Sequence, residues 1–233
     1  MTALINSEAA RADLAGTKGA LPIGLGAGWD VLPGGTDGFR PEADSTQTKG
    51  VRWSDPTLTA SGVGAAAGTG VTAVETGNGA VHKTVITLAA TSIAVTDTGG
   101  ANGAQGTQKV YDFPAGAIQL LGASYNLAVT RVGTAIAAGA ELIGSLGSVA
   151  AGVGNATLTG TEADMIASTV GTLVAGAGTL AKYGSLVAAA FDGTSAALDA
   201  ILNVAVPDAD ISATDAVLVS GTITIVWANL GDY

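Results

Sequence analysis

The clearest alternation of apolar and polar positions lies near the C-terminal end of the chain. In VLVSGTITIVW, residues 217–227, aliphatic residues and Trp227 occupy every second position from Val217 except Gly221, and Ser and Thr fill most positions of the other set. Successive side chains of a β-strand point to opposite faces of the sheet, so a period of two indicates a strand with one buried face. We predict a strand over 216–229.

Shorter runs rich in Val, Ile and Thr recur from His82 onward, separated by Gly, Asp, Asn and Pro. This spacing is typical of all-β sandwiches and barrels. It predicts either a pair of strands or one long bent strand over 118–132, with a bulge at Gly122, and a turn-rich loop over 97–108 (DTGGANGAQGTQ). The remaining predicted strands are 83–95, 110–113, 141–151 and 198–206.

Only TEADMIAST, residues 161–169, has a helical pattern. We expect one or two helical turns there, with Thr161 as the cap and Asp164 three residues later, as in a capping box. The most apolar stretch, 172–191, contains Lys182 and several glycines, so we expect no membrane span and no membrane partner.

Residues 1–78 are rich in Gly, Pro, Thr and Asp and keep neither a helical nor a strand period for long. Within them, 61–80 is a Gly- and Ala-rich stretch of the kind that forms linkers. We therefore predict two parts: an extended, largely irregular N-terminal arm with a linker (1–78), and a β-sandwich or jelly-roll-like domain (79–233). The fold class predicted for the whole chain is all-β.

The composition argues against several classes of function. The 233 residues include no cysteine, one histidine (His82), and 9 basic against 19 acidic side chains, for a net charge of -10. Nucleophilic and acid–base catalysis draw on the residue types that are scarce here, so we expect no enzyme and no cofactor. An acidic protein is repelled by nucleic acid, so no nucleic-acid partner is expected. The N-terminus shows no secretory signal pattern, so we expect the protein to be made in the cytoplasm and not secreted.

Individual candidate sites are weak. Any catalytic triad would need His82, and no GxSxG motif accompanies it. Asp208, Asp210 and Asp215 carry oxygen ligands suited to calcium but lack EF-hand spacing, so we favour a solvated loop and expect no metal. A hydrolase built on Glu141, Glu162 or Asp164 is a minor alternative, because nothing in the sequence places two carboxylates at a working separation.

One group of residues in the arm stands out as a candidate binding surface. Trp and Arg are the residue types found most often as hot spots of protein interfaces. The arm holds two of the three tryptophans, and aromatic rings in such a segment need a surface on which to pack. They either bind a partner or pack against their own sheet. The candidate anchors are Trp29, Phe39, Arg40, Arg52 and Trp53.

Three segments resemble structural proteins of tailed-bacteriophage heads: DFPAGAIQLLGASYNLAVT (112–130), LTGTEADMIAST (158–169) and ISATDAVLVSGTITIVWANL (211–230). More specifically, they resemble cement or decoration proteins. The resemblance implies a β-sandwich or jelly-roll domain on the outer capsid surface of the virion. It also implies the major capsid protein as partner, bridged capsomers, and a homo-oligomer, either a dimer or a trimer. The alternative is a tail or fibre protein that binds a host receptor or carbohydrate through loops such as 96–108.

Overall fold

The computed structural model describes residues 20–25, 28–36, 39–54, 64–78, 81–97, 103–152, 154, 156–183 and 190–231. Within these ranges the chain is almost entirely β-structure, so the all-β prediction is confirmed. The strands are β1 (Leu21–Leu25), β2 (Gly28–Leu32), β3 (Arg40–Ala43), β4 (Val51–Ser54), β5 (Ala65–Ala66), β6 (Val71–Asn78), β7 (Val81–Asp97), β8 (Ala104–Asp112), β9 (Gly116–Arg131), β10 (Glu141–Gly147), β11 (Ile166–Thr172), β12 (Ala177–Lys182), β13 (Ala190–Gly193), β14 (Asp199–Val206) and β15 (Asp215–Asn229).

The chain divides into two compact units between Leu58 and Thr59. The first unit contains two antiparallel hairpins, β1 with β2 and β3 with β4, joined by irregular segments. The division lies before the expected boundary at 78, because residues expected in the linker form β5 and β6. These two strands pair with β8 and β7.

The second unit is one antiparallel sheet in the order β11-β10-β14-β8-β7-β15-β9-β12, with β6, β5 and β13 added beside β7, β8 and β9. Its two end strands, β11 and β12, meet through a bridge between Val174 and Ala177. A Cβ atom on Gly171 would lie 2.5 Å from the carbonyl oxygen of Thr179, and one on Gly178 would lie 2.5 Å from that of Thr172. Glycine at both positions lets the backbones come this close, so the sheet is nearly closed.

The core lies between the two layers of this sheet. Ile86, Ile223 and Trp227 from one layer and Leu142 and Leu202 from the other are almost completely buried. A hydrogen bond joins the layers, because the Tyr125 hydroxyl donates to the carbonyl oxygen of Gly144 at 2.8 Å. Burial raises the pKa of that phenol, which keeps it a donor.

The alternation predicted for 217–227 is confirmed in β15, where Val217, Val219, Ile223, Ile225 and Trp227 are buried and the residues between them are not. The long strand predicted over 118–132 is the single strand β9. Its bulge lies at Leu121, next to the predicted Gly122. Here β15 pairs Val226 with Gly122 and the next residue, Trp227, with Leu120.

A second bulge lies in β7. Val219 of β15 pairs with Thr91, whereas Gly221 pairs with Leu88, so Ala89 and Ala90 together oppose Ser220. Ala90 has a φ of 51°, and its N–H donates to the Ser220 hydroxyl at 2.9 Å. The extra residue keeps Leu88 and Thr91 on the same buried face of the strand.

Three local predictions are corrected. The loop expected over 97–108 is shorter, because β7 extends to Asp97 and β8 begins at Ala104; residues 98–102 lie outside the described residues. The helical segment is a single 3-10 turn, Thr161–Ala163, and the rest of it enters β11. The capping box is wrong: Gly160 is the N-cap without a side-chain bond, and Asp164 instead accepts hydrogen bonds from Ser148.

Residues 172–191 contain the end of β11, all of β12 and the start of β13. No helix in the described ranges has the length and hydropathy that a membrane crossing requires.

Candidate functional surfaces

The β3–β4 hairpin carries two of the candidate anchors, Arg52 and Trp53. The Arg52 guanidinium lies 3.6 Å from the Glu42 carboxylate and 3.4 Å from that of Asp44. The hydroxyl and backbone N–H of Thr46 hold the pKa of Asp44 below its ordinary value, so it stays charged beside Arg52. Arg52 is therefore held in place on its own hairpin.

Trp53 lies partly buried against the segment that follows β2. Its indole N–H donates to the carbonyl oxygen of Pro33 at 2.6 Å. A Cβ atom on Gly35 would lie 2.4 Å from the indole ring, so only glycine admits the ring at this distance. Trp53 thus connects the β3–β4 hairpin to the end of the β1–β2 hairpin.

A cleft of about 390 Å³ lies beside Trp53 and is also lined by Leu32, Val51, Arg52 and Lys49. The Lys49 ammonium lies 3.1 Å from the Asp30 carboxylate and donates to the carbonyl oxygen of Val31 at 2.6 Å. The N–H of Val31 and the Lys49 ammonium lower the pKa of Asp30. The cleft therefore combines apolar walls with two cations held by neighbouring carboxylates.

The other arm anchors are not in this cleft lining. Arg40 is exposed and pairs in register with Ser54, beside Trp53 on the ladder. Phe39 is partly buried. Trp29 belongs to β2 and pairs in register with Gly24, but its side chain lies outside the described structure.

A buried polar cluster in the second unit was not predicted. Glu75 of β6 is 8% exposed and His82 of β7 is 6% exposed, and the Glu75 carboxylate lies 2.7 Å from Nδ1 of His82. The Tyr111 hydroxyl of β8 donates to the other oxygen of the same carboxylate. Burial and then the bond to Glu75 raise the pKa of the phenol. Three strands therefore meet at one carboxylate.

Aromatic contacts complete this cluster. The His82 ring stacks on the Trp227 indole with centroids 4.3 Å apart and planes 13° apart, and Phe113 meets the indole edge-on at 5.2 Å. The indole N–H donates to the Thr84 hydroxyl at 2.9 Å. Since the cluster is almost fully buried and its polar groups bond to one another, it links strands and offers little access to a substrate.

Sequence reasoning placed His82 at the start of a strand, as a surface or packed side chain, and it missed Glu75. The signal was the alternation of Val71, Ala73 and Glu75, which share the inward face of β6. Because residues 61–80 were interpreted as a linker, there was no reason to expect a buried carboxylate beside His82.

Two of the three acidic residues considered for calcium, Asp210 and Asp215, instead accept hydrogen bonds from backbone N–H groups. One oxygen of Asp215 accepts from Gly133 and Ala216, both at 2.8 Å, and the other accepts from Ile136 at 3.1 Å. Asp210 accepts from Glu141 at 2.8 Å. Among the described residues there is no group of three or more His, Cys, Asp or Glu side chains placed to hold a metal.

Asp215 provides a test of pH dependence. Partial burial raises its pKa, but the N–H groups of Ile136, Ala216, Gly133 and Ala135 outweigh that effect and hold the pKa below its ordinary value. A lowered folded pKa gives stability above the unfolded value, lost as the pH falls through the folded value. We expect Asp215→Asn to lower the free energy of unfolding by about 1–3 kcal/mol at pH 7.

The measurement is urea unfolding of both proteins at pH 7 and at pH 3. The difference between them should shrink at pH 3, because this pH lies below the ordinary pKa that the carboxyl group keeps in the unfolded chain. An equal difference at both pH values would contradict this account of Asp215.

The carboxylates considered for hydrolysis also have structural partners. Glu162 accepts from the N–H of Gly160 at 2.8 Å, while Asp164 accepts from the N–H and hydroxyl of Ser148 at 2.8 and 2.6 Å. Glu141 is exposed at the start of β10. The hydrogen bonds of Glu162 and Asp164 stabilise the loops around β10.

The outward side of β6, β7, β15, β9 and β12 forms a broad surface, which we call the open face. Thr72, Thr87, Thr222, Asn126 and Ala181 lie in register across these five strands, and all but Ala181 are exposed. Its other residues are Val74, Thr76, Val81, Lys83, Val85, Ala89, Ser92, Ala94, Thr96, Ala216, Leu218, Ser220, Thr224, Val226, Leu121, Ser124, Ala128, Thr130, Ala177 and Thr179.

The open face is almost without charge. Of the charged residues in its described strands, only Lys83 is at an outward position; Glu75 is buried, and the others are end residues of their strands. In a chain with a net charge of -10, a surface of this size without a carboxylate differs from the rest of the molecule.

No protein-family model matches the chain, and comparisons with curated proteins and with solved structures find no match.

Proposed function

We propose that this protein is a non-enzymatic structural component of a bacteriophage virion, a cement or decoration protein that binds the outer surface of the capsid. Its partner is the major capsid protein, and binding across neighbouring capsomers stabilises the shell. The observation that carries the proposal is the N-terminal unit, where a hairpin holds Arg52 and Trp53 beside a cleft of about 390 Å³. A cleft with apolar walls and fixed cations is suited to binding a second protein.

The charge of the chain supports a position on the outside of the shell. A net charge of -10 is unfavourable next to packaged DNA, whose phosphates carry the same sign. On the outer surface the same charge favours solubility and opposes non-specific contact with nucleic acid.

The mechanism is the sum of many moderate contacts. Each copy contributes a small apolar site around Trp53, Leu32 and Val51. Repetition over a symmetric shell makes such contacts collectively strong when copies are linked to one another or span two subunits. No catalytic step is involved.

We expect Trp53→Ala in the full chain to weaken binding to preformed capsids by about 2 kcal/mol, or about 30-fold in Kd, because central tryptophans commonly act as interface hot spots. The measurement is the occupancy of purified capsids after co-sedimentation with increasing protein. Tyr183→Ala is the matched control, since Tyr183 is an exposed aromatic residue of the second unit.

Equal occupancy for Trp53→Ala and the wild type would reject the N-terminal unit as the gripping element. Gold labelling of virions provides an independent test. Label over the whole head supports the proposal, whereas label confined to the tail tip would reject it in favour of a receptor-binding tail protein.

A further inference from the structure

We propose that the open face is a self-association surface, through which two copies of this chain pack against each other about a two-fold axis. The inference goes beyond capsid binding, because it concerns a different unit of the chain and the free protein in solution. It rests on charge, apolar exposure and area.

The distribution of charge favours a second copy of this chain as the partner that covers the open face. Two molecules that each carry a net charge of -10 repel one another wherever carboxylates come into opposition. The open face holds Lys83 and no carboxylate. An exposed carboxylate of the same layer, Asp192 of β13, pairs with Ala117 near the start of β9, outside the stretch that faces residues 218–226 of β15. A pairing centred on Thr222 therefore brings no acidic side chains of the open face together. Lys83 lies four residues along β7 from Thr87, so in a pairing centred on Thr222 it lies toward the perimeter, where its ammonium stays hydrated.

Apolar side chains are also exposed on this face, which holds three of the nine large exposed hydrophobic residues in the described part of the chain. Val74 is 61% exposed and Leu121 is 50% exposed, and Val81 is another of the large exposed hydrophobic residues. Val74 pairs directly with Val85, and Leu121 is the bulged residue beside the pair of Val226 and Gly122. Val74, Val85 and Leu121 lie toward the same end of the face as Lys83, which pairs with Val226. The pairing therefore removes part of this apolar area from water, while the Lys83 ammonium stays at its perimeter.

The size of the face approaches that of a stable interface. β7, β15 and β9 lie about 4.8 Å apart and span the nine residues from 218 to 226 of β15, whereas β6 and β12 each span six of them. Together they cover roughly 600 Å² on each copy, against about 800 Å² per partner in an interface of standard size. The side chains are mostly Thr, Ser, Ala and Val, which allows two sheets to approach to the usual spacing of about 10 Å.

The test uses the full chain in sedimentation velocity at concentrations from 1 to 100 µM, roughly the range over which moderate self-association appears. We expect a species of twice 22.4 kDa for the wild type. Thr222→Asp should raise the dimer Kd at least 10-fold, since it places two carboxylates at the centre of the pairing. Thr107→Asp is the matched control, an exposed threonine on β8 in the other layer, and should leave the Kd unchanged.

Salt dependence separates this pairing from one made by charge attraction. Because the copies repel each other outside the face, added salt should strengthen dimerisation, whereas an interface made of ion pairs would weaken. The melting temperatures of both variants, followed by circular dichroism, show whether loss of the dimer comes from unfolding. If Thr222→Asp fails to fold, Thr222→Lys in the same assays replaces it.

The absence of native cysteine allows a direct measurement of distance. A spin label on Thr224→Cys should give a short distance between copies in pulsed electron paramagnetic resonance, and a label on Thr107→Cys a much longer one. A monomer at all concentrations, a trimer, or a dimer that keeps its Kd in Thr222→Asp would overturn the proposal. None of these outcomes depends on capsids, so the capsid proposal stands or falls separately.

Discussion

Trp227→Ala is expected to lower the free energy of unfolding by about 3–5 kcal/mol, the range found for removing large aromatic side chains from a core. Trp227 is 0% exposed. Its indole stacks on His82, contacts the edge of Phe113 and donates to Thr84. Alanine would leave a cavity and a buried hydroxyl without its donor, and each adds to the cost.

Urea unfolding followed by circular dichroism measures this effect. Trp53→Ala removes the same side chain from a partly buried position in the N-terminal unit and should leave the transition of the second unit unchanged. Trp227→Phe should fall between wild type and Trp227→Ala, because it keeps an aromatic ring but loses the N–H donor. Equal stability of Trp227→Ala and wild type would show that the indole does not hold the core together.

Glu75→Ala is expected to cost about 3–5 kcal/mol, the range for removing one partner of a buried pair. The carboxylate accepts from the Tyr111 hydroxyl and lies 2.7 Å from Nδ1 of His82, so its removal takes the acceptor from one buried group and the polar partner from another. It also loosens β6, since Glu75 is the polar contact from that strand to β8. The measurement is the urea midpoint, together with hydrogen exchange of the amides of β6.

Glu141→Ala is the control, since Glu141 is an exposed glutamate at the start of a strand and should cost far less. A double variant, Glu75→Leu with His82→Phe, tests the origin of the loss. Because it replaces both buried polar partners with apolar groups, it should be more stable than the sum of the two single changes predicts. Additive losses would indicate that Glu75 and His82 contribute independently.

The strands that could be predicted are those whose side chains alternate strongly. In β7 and β15, Val and Ile occupy many of the buried positions and Thr and Ser many of the others, so period and propensity agree. β6 and the first part of β8 were missed because Gly, Ala and Gln weaken both signals, as in AQGTQ at 104–108. Their pairing with neighbouring strands, and not their own propensity, makes them strands.

The candidate surfaces also differ in whether they could be predicted from the sequence. Trp53 and Arg52 stood out because the arm holds two of the three tryptophans and five of the nine basic residues. The cluster at Glu75 could not be predicted, since residues 36 positions apart come together only when β6 and β8 take their places in the sheet. The open face likewise depends on which five strands are neighbours, and nothing local in the chain specifies that order.

The place of β15 in the sheet has a consequence for biosynthesis. This strand lies between β7 and β9, which precede it in the chain by more than 80 residues, and pairs with both over most of its length. During translation, β7 and β9 therefore leave the ribosome before their common neighbour β15. Until β15 is made, inward residues such as Ile86 and Leu127 are exposed to solvent. Folding of this unit is completed only after translation has passed Asn229, and until then chaperones have two long apolar strands to bind.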